Sequence, residues 1–397
     1  MTQCRSLPTL PLHLEFLAHF TGKWPDAACR PRWSRTPYWH LLTMVLSLVS
    51  GMATSVLLST RLPAWWPLCI FSWMLIVHSS RKAQLVICHY AVHGTMTGRT
   101  WGDRMLVECL STLLLIQHFE GYYHDHVRLH HSRYLATYAD VDLQFLMHLG
   151  FRPGMSRRAL WRHLGWTMIS PRFHALFLWQ RLRVNFYAAP RYRRIMAGVN
   201  AAALVGGLVL TQDWLAFLVA WVIPLCPLYH IASLLQFVSE HKWLAMYQPS
   251  PYDYGETLTM DLSPSHTHKC MLARLTFGRF VGDGLPSRTM PLGSWCWAWG
   301  RWVLRLLLLH IPTRLCVLVG DLTVHDWHHR HPHGDWANAP YARARDLAAG
   351  CPGWPAVYEE VWGLDQAIDV VFTGLAALPP LDTAPQSRGV AVGALGM

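Results

Sequence analysis

Four stretches of the chain carry no charged residue and reach, or nearly reach, the roughly 20 residues that a helix needs to cross a bilayer. They are Leu41–Thr60, Leu62–Ser80, Ile195–Thr211 and Trp214–Ser239. The first two are joined around Arg61-Leu62-Pro63 and the last two around Gln212-Asp213. Both joints are tight, so each pair reads as a helical hairpin. Composition agrees: the chain is 52% hydrophobic and only 14% charged, where soluble domains run near 25% charged. That excludes disorder, a coiled coil and a small disulfide scaffold. The ten Cys have no paired spacing and read as free thiols in a reducing compartment. The 34 Lys and Arg exceed the 23 Asp and Glu, for a net +11, and there are 21 Trp. That combination fits a membrane surface rather than nucleic acid.

Two further apolar runs read as interfacial. Met105–Gln117 is short and contains Glu108, and Trp302–Gly320 carries Arg305, Arg314 and Pro312. Orientation follows from basic residues in loops. Segment 118–194 holds twelve Arg, whereas the two tight joints hold only Arg61. Both termini and both long polar segments are therefore expected in the cytosol. The whole reads as an all-α integral membrane protein, with four transmembrane helices in two hairpins and a cytosolic helical cap. Residues 1–40 form a cytosolic N-terminal segment, 41–335 the membrane domain and 336–397 a cytosolic C-terminal segment with a flexible tail from about 378. Arg152–Arg194 interleaves Arg with Trp161, Trp166, Phe173, Phe177, Trp179, Phe186 and Tyr187, a pattern suited to a helix on anionic headgroups.

Histidine is the compositional outlier, with 24 residues, many of them bunched. His89 and His93 form an H-x-x-x-H. His126, His130 and His131 form an H-x-x-x-H-H. His325, His328 and His329 form an H-x-x-H-H. On a helix, residues three or four apart share a face, so each cluster aims at least two imidazoles at one point. Imidazole suits iron, zinc, copper or nickel, and eight imidazoles are enough for two ions. If the second span continues as a helix past Ser80, all three clusters fall on the cytosolic side of the bilayer, where they form a di-metal site.

These motifs resemble the membrane fatty acid desaturase superfamily, whose signature is three histidine boxes in this order. Gly102-Asp103, Tyr122-Tyr123 and the acidic pair Asp140 and Asp142 add to the likeness, which covers roughly residues 40–335. The resemblance implies two non-haem iron ions ligated by His89, His93, His126, His130, His131, His325, His328 and His329. It adds His241, which follows the fourth span as an extra histidine does in many members. It also implies O2 as co-substrate, a lipid or acyl-chain substrate and a separate electron donor, either ferredoxin-type or a small haem protein. No Cys cluster or fused haem domain supplies that electron function within the chain. The expected setting is the bilayer of a bacterial inner membrane, with the active site cytosolic and no nucleic-acid partner.

Other readings weigh less. Hydroxylation or ketone formation on a lipid, alkane or carotenoid begins with the same hydrogen abstraction. A membrane zinc hydrolase lacks its H-E-x-x-H, and no G-x-x-x-x-G-K or G-x-S-x-G occurs. Asp140, Asp142 and Asp326 are candidates to hydrogen-bond ligating imidazoles. His124 is an extra histidine next to box two. His331 and His333 read as peripheral, His230 as a buried hydrogen-bonded histidine, and His266 and His268 as solvated.

Overall fold

A computed structural model describes residues 7–243, 266–287 and 289–380. Two compact units emerge: residues 1–36 with 259–368, and residues 37–258 with 369–397. The expected tail lies largely outside the described residues, past the helix Leu364–Ala377.

In the second unit, the helix Pro37–Thr60 packs on the next helical run, which extends over residues 69–92. A Cβ on Gly51 would come within 2.8 Å of the Ile76 side chain, so the missing side chain is what lets the two helices approach. Ser55 and Ser72 share a hydrogen bond of 2.7 Å across the same contact. The second run differs from the expected Leu62–Ser80. Pro63–Leu68 forms a 3₁₀ turn containing Pro67, and the α-helix starts only at Cys69, because proline lacks the N–H that helix continuation needs. The run does continue as a helix past Ser80, as the meeting of the three histidine clusters on one side required. It passes through a π-helical stretch, Ala83–Cys88, into His89–Val92. Arg81 is buried and donates to Ser233 Oγ at 2.7 Å and to Gln236.

The helix Arg191–Thr211 ends at Gln212, whose φ of 58° turns the chain into the run Trp214–Glu240. Ile195, Val199, Val205, Val209 and Leu210 are exposed along Arg191–Thr211. An apolar face of this kind is covered by lipid rather than water. Among the described residues three helices are long and apolar enough to cross a membrane: Pro37–Thr60, Arg191–Thr211 and Trp214–Glu240. A fourth counts if Leu292–Val317 and Leu322–Arg330, bent by 89°, form one broken span or a re-entrant loop.

The basic segment is not one surface helix. It forms Arg157–Ile169 and Pro171–Leu182, and two of its Arg turn inward. Arg193 is fully buried and ion-paired with Glu108 at 3.1 Å. It also donates to Ser111 Oγ at 2.9 Å, Ile116 O at 2.9 Å and Asn185 Oδ1 at 3.0 Å. Buried Arg181 donates to the carbonyls of Leu114, Leu115 and Leu225. The helix Thr100–Leu114 ends with orphan carbonyls, and these two guanidiniums satisfy several of them.

The first unit is built around Phe280, Val324, Trp327, Ala339, Cys351 and Tyr358. Two short parallel strands, Gly278–Phe280 and Glu360–Trp362, pair in register. The N-terminal helix Leu12–Thr21 joins this unit: Thr21 O accepts from Val281 N at 2.9 Å, and Leu14 packs in a cluster with Tyr341 and Ala344. Gly22 ends that helix at φ 80°, and a Cβ there would stand 2.1 Å from Thr323 Oγ1, so only glycine fits.

Candidate metal centre

His89, His93, His126 and His131 come together in the second unit, their ligand nitrogens all within 4.8 Å of one another. Local backbone geometry produces this. Residues 123–130 form a π-helical stretch, and His131 N donates to His126 O at 2.9 Å, five residues back. In the wider turn, residues five apart share a face. His126 and His131 therefore approach to 4.6 Å between ring centroids. His89 lies 4.3 Å from His126, and His93 4.7 Å from His131.

His89 Nδ1 donates to Leu85 O at 3.0 Å. A carbonyl only accepts, so the proton sits on Nδ1 and the lone pair on Nε2. Burial lowers the His89 pKa to about 4, which keeps the imidazole in the neutral form that metals bind.

His130 points elsewhere. Its Nδ1 lies 3.2 Å from Asp140 Oδ2 and 3.3 Å from Asp142 Oδ2. Its Nε2 lies 3.1 Å from Nε2 of buried His241. Burial pulls the His130 pKa down, but the charge and hydrogen bond of Asp140, with Asp142 and Glu240 behind, outweigh it and raise the value to about 9. A cation between two facing Nε2 atoms would answer the same carboxylate charge. Asp140 is fixed in turn: it accepts from Ala136 N at 2.9 Å and caps the helix Val141–His148 through Asp142 N at 3.0 Å. The adjacent His130 and His131 thus serve two groups.

In the first unit, His325, His328 and His329 are all buried on the helix His325–Arg330. Nε2 of His325 and Nε2 of His329 face each other at 3.1 Å. The expectation for Asp326 is corrected. It binds Arg343 and the Trp327 N–H rather than an imidazole.

The remaining histidines separate from these groups. His124 is exposed and pairs with Asp125 at 3.0 Å. His331 pairs with Asp346 at 3.2 Å, and His333 is exposed. His230 is buried, with Nδ1 3.4 Å from His174 Nδ1. His268 is half-buried on the helix His266–Leu275 rather than solvated in a loop. The His266 side chain lies outside the described residues.

Sequence reading missed the Leu85 carbonyl, Arg343 and a small cavity of about 10 Å³ lined by Gln84, Cys88, Ser111, Ile116, Gln117 and Tyr122. The Tyr122 ring lies 5.5 Å from that of His126. The i,i+4 spacing of Tyr122 and His126 is the one signal that pointed there.

A donor set of imidazole alone fits iron, zinc or copper better than a hard oxygen-seeking ion. The family model for fatty acid desaturases matches residues 63–362, which is 300 of the 397 residues. The chain belongs to the fatty acid desaturase family. No curated protein and no solved structure matches it. As a desaturase-family member with apolar spans, it is a membrane oxidoreductase of the fatty acyl desaturase type with a histidine metal site.

Proposed function

We propose that this desaturase-family protein is an O2-dependent fatty acyl desaturase holding two irons. The observation that carries the reading is the convergence of His89, His93, His126 and His131 in a chain of this family. His130, His241, His325, His328 and His329 complete the ligand set we assign. The irons, when bound, supply oxidation of unactivated C–H bonds with O2 and external electrons.

The chain's own residues hold and orient. Leu85 O fixes the tautomer of His89, and Asp140 and Asp142 fix that of His130, leaving Nε2 of each to point at metal. An alkyl substrate partitions into the bilayer at about 0.8 kcal/mol per methylene, so the membrane concentrates it. Our reading places the site and both termini on the cytosolic face of a bacterial inner membrane, crossed by two hairpins. A separate ferredoxin-type or small haem protein delivers electrons.

Expression in a bacterial host with a ferredoxin donor, followed by mass spectrometry of the lipids, tests this. New double bonds are expected, and none with His130→Ala, which should also carry less iron. New hydroxyl or keto groups would replace desaturation with hydroxylation or ketone formation. Full activity and full iron content in His130→Ala would overturn the ligand assignment.

A further inference from the structure

The helix that carries the third histidine box, His325–Arg330, is six residues long. One and a half turns do not hold themselves in water, so the aim of His325, His328 and His329 must be set by their neighbours. The other three residues of the segment each have an anchor within the first unit. Trp327 is buried in the core, where a Cβ on Gly334 would come within 2.6 Å of its ring. Arg330 donates to Ala356 O at 2.8 Å and lies 4.0 Å from the Tyr358 ring centroid. Asp326, 1% exposed, accepts three contacts from Arg343: Nε to Oδ1 at 3.1 Å, Nε to Oδ2 at 3.1 Å and Nη2 to Oδ2 at 2.8 Å.

Arg343 is itself housed with care. It is 3% exposed, its guanidinium lies 4.4 Å from the Tyr358 ring centroid, and Nη1 donates to Glu360 Oε1 at 3.0 Å. Lys23 from the N-terminal segment pairs with the other oxygen of Glu360. The set of two cations and two carboxylates is therefore closed in charge. A Cβ on Gly278 would stand 2.9 Å from Nη2, so the glycine leaves the space that the guanidinium fills.

We infer that Arg343 is a positioning residue for the metal centre: by gripping Asp326 between His325 and His328, it fixes the face on which the third box presents its imidazoles. The inference rests on the di-iron reading above. The fork of arginine is what the geometry uses, and lysine would offer one point charge in its place.

The test loads full-length protein with ⁵⁷Fe and follows iron release to a chelator, together with the Mössbauer spectrum. The variants are Arg343→Gln, Arg343→Lys and the double variant Asp326→Asn with Arg343→Gln. Monodisperse elution of the metal-free protein defines the folded fraction. Iron loss from folded variants is expected to be faster by roughly tenfold or more, the size of effect that outer-shell partners have. Arg343→Lys should lie between wild type and Arg343→Gln, with a shifted spectrum. A stability role alone would lower the melting temperature and leave both iron release and spectrum at the wild-type values in the folded fraction, and that result overturns the proposal. If Arg343→Gln strands Asp326 and unfolds, the charge-neutral double variant decides; if that also unfolds, the charge-keeping Arg343→Lys decides. His329→Ala is run alongside. Full iron retention there would overturn the di-iron reading itself, whatever Arg343 does.

Discussion

Asp140 does three jobs with one carboxylate: it holds His130, caps a helix and receives the Ala136 N–H. Replacing it by Asn keeps the shape and removes the charge. Asp140→Asn is expected to weaken iron binding by about 10- to 100-fold, as other losses of a ligand's outer partner do. Iron content measured against chelator concentration checks this. The histidine clusters themselves were legible, and i,i+4 spacing on a helix does pair His89 with His93 and His325 with His329, whereas in box two His126 meets His131, five residues on. What surrounds them was less so. The acidic pair at 140 and 142 was legible from its place beside box two. The Leu85 carbonyl was not, since any residue supplies one. Asp326 misled: its place between His325 and His328 in the sequence put it near imidazole, whereas the helix turns it toward Arg343. Arg181 and Arg193 were counted among the charges marking the cytosolic side. Burial of an arginine depends on carbonyls and carboxylates brought from elsewhere in the chain, and a local reading does not see them.

At the scale of the element, one buried ion pair ties the helix Thr100–Leu114 to the helix Arg191–Thr211. Arg193 and Glu108 are 3.1 Å apart, and Tyr192 OH adds a bond of 2.9 Å to the same carboxylate. Removing one partner of such a pair leaves a buried charge and costs about 3–5 kcal/mol. Arg193→Met is therefore expected to lower the melting temperature sharply. Arg193→Met with Glu108→Leu should recover part of the loss, because the stranded charge is gone. Thermal unfolding in detergent measures both. The apolar helices Pro37–Thr60, Arg191–Thr211 and Trp214–Glu240 were visible in the sequence as charge-free runs. Their π-helical stretches were not. A run of apolar and histidine residues fits α and π turns equally, and tertiary packing selects between them. That choice is what puts His131 on the face of His126.

At the scale of the whole molecule, exposed charge governs the surface. Arg157, Arg158 and Arg162 all lie exposed on one helix. Changing all three to Glu is expected to reduce association with anionic lipid, each charge contributing about 1 kcal/mol near the surface. Flotation with vesicles of graded anionic content reads the effect. The first unit carries an acid-sensitive contact. Burial raises the Glu360 pKa, but hydrogen bonds from Lys23 and Arg343 outweigh it and hold the carboxyl below its ordinary 4.5. A depressed folded value means that the contact stabilises above 4.5 and is lost as pH falls through the folded value. The gap in melting temperature between wild type and Glu360→Gln should be widest above that pH and close below it. The first unit is also assembled from two separate stretches of the chain, residues 1–36 and 259–368, with 222 residues made between them. At synthesis rates of roughly 5–20 residues per second, the helix Leu12–Thr21 leaves the ribosome about 10 to 45 seconds before its partners exist. The segment translated first is thus among the last to find its place, and until then its apolar Leu10, Leu14 and Ala18 depend on chaperones or the membrane surface for cover.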